Sequence, residues 1–173
     1  RGGGWGAAQT GSEGPVRLLG KWNPRLDCAV DYLKPLGPKA IVWARFRHDI
    51  DQLMDALGDR AVRYDGKVTD DEAARAKDDF QKGDAQFFVA NQAKGATGIT
   101  LHAAQTSLYY SNNFKLRDRL QSEDRCHRIG LEHPVNYVDM VCPGTVDDGI
   151  IRSLRTKFNI ASQINGDTMT EWI

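Results

Sequence analysis

AIVWARFRHDIDQLMDALGDRAVRY, residues 40–64, reads as strand, helix, strand. AIVWA (40–44) is apolar throughout and carries no polar alternation, the mark of a short strand covered on both faces. HDIDQLMDALG (48–58) then sets Ile50, Leu53, Met54 and Leu57 on one helical stripe and stops at Gly58. AVRY (61–64) returns to a strand. A helix joining two buried strands calls for a right-handed crossover and parallel pairing.

The same alternation continues in both directions. Upstream, PRLDCAVDYLKPLG (24–37) spaces Leu26, Ala29, Val30 and Leu33 as a helix and is stopped by Pro35 and Gly37. Downstream, TDDEAARAKDDFQKG (69–83) is a helix with Thr69 as N-cap, QFFVAN (86–91) and SLYYS (107–111) are strands, and KLRDRLQSEDRCHR (115–128) is a helix. PVNYVDMVC (134–142) is a strand, and TVDDGIIRSLRTKFNIASQI (145–164) is a long helix in which Thr145 and Asp148 are spaced as a capping box. The expectation is an α/β fold, a mostly parallel sheet with helices on both faces, with its strand-end loops gathered along one edge where ligands bind. RGGGWGAAQTGSEGP (1–15) has the composition of a flexible linker, so the folded unit is placed at 16–173.

Bulk properties narrow the class. A chain of 173 residues suits one domain, and a composition of 40% hydrophobic and 27% charged residues is that of a globular protein. No apolar run reaches the length of a membrane span. Twenty-three basic residues balance twenty-three acidic ones, so a nucleic-acid partner would have to be met by a local patch. Cys28, Cys126 and Cys142 lack CxxC pairing and point to a reducing compartment, and His48, His102, His127 and His133 fall into no metal-ligand spacing, so no metal site is expected. The chain opens at Arg1 without an initiator Met and is read as a piece of a longer protein.

The residues with chemistry to offer lie in two stretches. QSEDRCHRIG (121–130) holds Arg125 and Arg128 three apart, on neighbouring positions of one helical face, where two guanidiniums suit a phosphate. On spacing alone the same pair serves equally as a solvated face beside Glu123 and Asp124. In KGATGIT (94–100), Gly95 and Gly98 allow backbone N–H groups close to a phosphate, and Lys94, Thr97 and Thr100 add donors. As a bare glycine-rich run it is more often an ordinary strand-to-helix turn, and its place between the 86–91 strand and the arginine helix is what raises it. Two lookalikes carry nothing: DEAA (71–74) follows Gly66–Thr69 rather than a buried strand, and LLGKWN (18–23) lacks the frame that cradles phosphates. Trp43 is placed in the core.

QSEDRCHRIG resembles the sixth motif, QxxxRxHRxG, of the Swi/Snf-type branch of superfamily-two helicases. NQAKGATGITLHAAQTSLYYSNN (91–113) resembles the fifth motif and IVWARFRHDIDQL (41–53) the fourth. RYDGKVTDDEAARAKDDFQKG (63–83) and TVDDGIIRSLRTK (145–157) resemble the DGxT segment and the closing helix. In order and spacing the likeness covers roughly residues 20–165. Phe114, Lys115 and Leu131 stand where the family commonly has Trp, Asn and Gln, changes that bear on partner contacts rather than on Gln121 and the arginines. The QSEDR wording is closest to phage and bacterial members, which implies a bacterial or phage-infected cytoplasm.

The resemblance implies a second RecA-like lobe. Arg125 and Arg128 would be arginine fingers reaching ATP and Mg2+ held mainly by a preceding lobe of the same protein, with Gln121, Asp124, Gly95 and Gly98 beside the nucleotide. Double-stranded DNA would be the partner, its backbone met by Lys94, Thr97, Thr100, Arg45, Lys115 and Arg117. This fragment alone would then be inactive. The alternative reading is a non-catalytic module that binds a nucleotide or a protein.

Overall fold

A computed structural model describes residues 22–95, 99–126 and 133–165. Its centre is a five-stranded sheet in the order β2-β3-β1-β4-β5. The strands are β1 (Lys39–Trp43), β2 (Ala61–Tyr64), β3 (Phe87–Ala90), β4 (Ala104–Tyr109) and β5 (Asn136–Asp139). Every neighbouring pair is parallel, with Ile41 opposite Phe88 and Ser107 in the middle of the sheet. The expected parallel architecture is present without an antiparallel strand among the described residues.

Both faces of the central strands are covered, which is why their sequences show no polar alternation. Ala40 and Val42 of β1, Phe87 and Val89 of β3, and Leu108 of β4 face one way. They pack with Ala29 and Leu33 of α1 (Pro24–Leu33) and Ile50, Leu53 and Leu57 of α2 (Arg47–Leu57). Ile41, Trp43, Phe88, Ala90 and Tyr109 face the other way, onto Ala73 and Phe80 of α3 (Asp70–Lys82) and onto Leu101 and Cys126. Trp43 is in the core as expected: it is fully buried, donates from Nε1 to Ser107 Oγ at 2.9 Å and stacks on Tyr109.

Local signals account for the starts of α1 and α3. Asn23 accepts from Leu26 N–H, and Pro24 opens α1. Thr69 and Glu72 form a complete capping box on α3. At α6 (Val146–Asn165) the capping differs from expectation. Thr145 Oγ1 accepts from Asp147 N–H, but Asp148 reaches past Thr145 to the N–H of Gly144, one residue upstream. Gly144 holds a φ of +75°, which tightens the turn enough to present that N–H.

Several elements depart from the sequence reading, among them β5, which covers only Asn136–Asp139 of the expected 134–142. β4 begins at Ala104, three residues before the expected 107, because Ala104 and Gln105 add little apolar signal. The helix expected over 115–128 is shorter: α5 runs Leu116–Glu123. After it, Arg125 N–H turns back to Ser122 O and Cys126 N–H to Glu123 O, while Arg125 O is taken by Leu101 N–H at 2.9 Å. The last carbonyls are thus used by turns and a neighbouring segment, and the buried Cys126 draws the chain into the core.

Candidate functional site

The site is built from the two segments singled out by sequence, and the structure brings them into contact. α4 (Gln92–Gly95) is a single helical turn shortly after β3, and it leads into the glycine-rich run. From Ile99 to β4 the chain lies against the α3 face of the sheet, with Leu101 buried there. α5 lies beside it, and the two are joined where Leu101 N–H meets Arg125 O and where Arg125 Nη1 lies 3.5 Å from Ile99 O. The contact is made over the α3 face, where Leu101 and Cys126 share one core cluster, rather than at the sheet's edge alone.

Arg125 itself sits in the turn beyond α5, half-buried, not on the helical face that its spacing from Arg128 implies. Arg128, Thr97 and Gly98 lie outside the described residues, and Gly95 closes α4. Gln121 is half-buried on the last turn of α5, and Asp124 is the exposed residue capping that helix. Thr100 uses its carbonyl to accept from Gln81 Nε2 at 2.6 Å.

The basic residues expected to meet DNA lie in three places. Lys115 and Arg117 are exposed at the start of α5, where Asn113 Oδ1 accepts the Lys115 N–H at 2.7 Å. Eight residues of helix set them about 12 Å from the Arg125 end. Arg45 follows β1, with its N–H donated to Ser111 Oγ and its guanidinium 4.9 Å from the centre of the Phe46 ring. Lys94 is turned inward: Nζ donates to Asp65 O at 2.9 Å and Val68 O at 3.3 Å and lies 5.1 Å from the Tyr64 ring centre, bracing the loop after β2.

Carboxylates around these loops are held in opposite senses. Burial raises the Asp49 pKa above the ordinary carboxylate value, partly offset by the hydrogen bond from Ser111 and the charges of Arg25 and His48. Burial also works against ionised Asp65 and Asp51, but Arg63 bonds both, and Lys67 adds its backbone N–H to Asp65 and its ammonium to Asp51, so both are lowered. Among the described residues no group of His, Cys, Asp or Glu could hold a metal ion.

Sequence reasoning missed the polar network behind this site. Arg119, 2% exposed, lies in the middle of α5 with its guanidinium 3.4 Å from the centre of the Tyr109 ring. Nε donates to Glu123 Oε1 at 2.5 Å, and Nη1 reaches Asp139 at the end of β5 and Asn112 Oδ1 after β4. Asn112 Nδ2 also donates to Asp139, at 2.6 Å, and Gln92 Nε2 donates to Asn112 Oδ1 at 3.3 Å. Tyr109 OH pairs with Ser122 Oγ at 2.9 Å. Burial opposes the charge on Arg119, but Tyr109, Asp139 and Glu123 more than restore it and raise its pKa. The one hint in sequence was the i,i+4 spacing of Arg119 and Glu123.

Comparison with known proteins identifies the family and the fold. The sequence model described as "Helicase conserved C-terminal domain" matches residues 24–130. The chain is 31% identical over 136 residues to the human lymphoid-specific helicase, covering 76% of this chain and 16% of that protein. It is 27% identical over 150 residues to a Drosophila melanogaster SWI/SNF-related regulator of chromatin, subfamily A, containing DEAD/H box 1 homolog, covering 84% of this chain and 18% of that protein. The chain thus spans less than a fifth of these relatives. The crystal structure of the C-terminal part of the Fun30 ATPase domain superposes with a TM-score of 0.68 at 22% identity, over 75% of this chain and 45% of that one, and shows the same RecA-like fold. These relatives are eukaryotic and lend no support to a phage or bacterial origin. With the match covering most of the sheet and both candidate segments, the chain belongs to the helicase conserved C-terminal domain family, in its Swi/Snf-type branch.

Proposed function

We propose that this chain is the second ATPase lobe of an ATP-dependent DNA translocase and supplies Arg125 and Arg128 to ATP held mainly by a preceding lobe. The observation that carries the reading is the junction of the two segments. Leu101 N–H and Ile99 O fix Arg125 against the glycine-rich stretch, so a donor that cannot lose its charge is held beside backbone suited to a phosphate. Gln121, Asp124, Gly95 and Gly98 would lie beside the nucleotide. The chain has no GxxxxGK[ST] frame, which fits a lobe that completes a nucleotide site and does not form one alone. Bound ATP with Mg2+ would supply the phosphoryl group and its charge neutralisation, and the part of this chain is to bring fixed positive charge.

Duplex DNA is the proposed partner. Lys115 and Arg117 give it an exposed basic pair at the start of α5, with Arg45, Thr97 and Thr100 as further proposed backbone contacts, whereas Lys94 is engaged by Asp65 and Val68 and braces the loop after β2. Several relatives carry names that fit, among them an ATP-dependent DNA helicase of Arabidopsis thaliana and the human chromatin-remodeling ATPase INO80.

The test is ATP hydrolysis by the full-length protein with and without duplex DNA, beside its Arg125→Ala and Arg128→Ala variants and this fragment alone. Turnover is expected to be DNA-stimulated, to fall by about 10³-fold or more in either variant, and to be absent from the fragment. Unchanged turnover in both variants would make the arginines surface charges and favour a non-catalytic nucleotide- or protein-binding module.

A further inference from the structure

Arg119 is a costly residue to bury. At 2% exposure it gives up most of its hydration, and an aliphatic side chain of similar volume would pack against Tyr109 at lower cost. What an aliphatic side chain could not do is join separate pieces of the fold. Arg119 touches Asp139 at the carboxyl end of β5, Asn112 in the loop after β4, Glu123 one turn along α5 and the ring of Tyr109. Its planar fork sets directions as well as charge, which fixes the rotation of α5 about its own axis.

The network extends to the other half of the site. Asn112 accepts from Gln92, the first residue of α4 and therefore the start of the stretch that leads to the glycine-rich turn. Gln92 is 2% exposed, and its buried Oε1 meets no donor among the described residues. The chain of contacts thus ends, on the side of α4, in a buried acceptor that a donor presented there would satisfy.

We infer that Arg119 is a positioning residue, and that the path Gln92–Asn112–Arg119 couples engagement of DNA at the turn after β3 to placement of the arginine segment beyond α5. The inference rests on the reading of the chain as a second ATPase lobe. These segments are joined by the contacts of Arg125 with Leu101 and Ile99 and by this side-chain path, and the path can be cut without touching either candidate finger.

The experiment uses the full-length protein with Arg119→Lys, Gln92→Met and the double variant. Arg119→Lys keeps the charge and removes the fork, and Gln92→Met keeps the volume and removes the amide. The readouts are DNA-stimulated and basal ATP turnover, KM for ATP, thermal melting, and amide hydrogen exchange at 99–101 and 123–126. In Arg119→Lys the ratio of stimulated to basal turnover is expected to fall about tenfold with KM for ATP unchanged, within the range of known site-to-site couplings. Gln92→Met should fall in the same direction and the double variant no further than Arg119→Lys, because both cut one path. Exchange should speed at 99–101 and 123–126 together.

A folded Arg119→Lys protein with an unchanged ratio overturns the inference, and so does an equal loss of basal and stimulated turnover or an additive double variant. If Arg119→Lys does not fold, Gln92→Met decides, with a lowered ratio supporting the path and an unchanged one removing it. Arg125→Ala and Arg128→Ala measured alongside keep the two claims apart. If they leave hydrolysis intact the ATPase-lobe reading has failed. If they abolish it while Arg119→Lys keeps its stimulation, only the coupling has failed.

Discussion

α3 and α5 cover the same face of one sheet and are held there by opposite means. α3 is thirteen residues long, with three acids in its first turn, a complete capping box, Lys82 in its last turn, and Ala73 and Phe80 as its buried residues. α5 is eight residues long, starts at Lys115 with no side-chain cap, and buries Arg119 and Ser122. A helix like α3 carries most of its instructions locally and tolerates small shifts, since apolar packing has no preferred direction. A helix held by a buried guanidinium and a hydroxyl is fixed in rotation, because hydrogen bonds weaken steeply when misaligned. The segment that leads to the candidate fingers is the one held by direction.

The contrast is broken most strongly at Arg119. Arg119→Ala leaves Asp139 and Glu123 without a buried counter-charge and is expected to cost about 3–5 kcal/mol, read from chemical denaturation. A cost under about 1 kcal/mol would show that α5 is held by packing after all, as α3 is.

What the sequence disclosed divides along the same line. Strands such as AIVWA and FFVA announce themselves because two-sided burial leaves only apolar residues, and α3 because its cap, charges and stripe agree. Arg125 and the glycine-rich stretch stood out as candidates, through residue types that suit phosphate. The early end of α5 was not, because it depends on Leu101 claiming the Arg125 carbonyl from outside the helix. Nor were Arg119, Asn112 and Gln92 as a set: each is an unremarkable polar residue until the fold sets them side by side, 20 residues apart for Gln92 and Asn112 and 7 apart for Asn112 and Arg119.

Acid sharpens the comparison on the opposite face. Asp51 and Asp65 have lowered pKa values in the folded state, so the folded protein binds their protons more weakly than the unfolded chain does. Their contribution is present above the unfolded carboxylate value and is lost as pH falls through it toward the folded values. Asp49, with a raised pKa, runs the other way: its contribution is present at low pH and is lost as pH rises through its folded value. Arg63→Met is therefore expected to flatten the acid limb of the stability curve, and Asp49→Asn to stabilise the protein more at neutral pH than in acid. Urea midpoints measured from pH 3 to 7 check both, and an acid limb unchanged by Arg63→Met would assign it to other groups.

The smallest effect belongs to the cap of α3. Thr69 Oγ1 accepts the Glu72 N–H at 3.3 Å, while Glu72 returns to the Thr69 N–H at 2.7 Å. Thr69→Ala removes one acceptor at an exposed helix start where water can substitute, so the expected loss is about 1 kcal/mol. Because the rest of α3 is held by Ala73 and Phe80, the loss should appear as faster amide exchange in the first turn, at residues 70–73, while α5 is undisturbed. Exchange rising equally in α5 would mean that the two helices form one cooperative unit, and that the division between packed and directed support ends at the sheet they share.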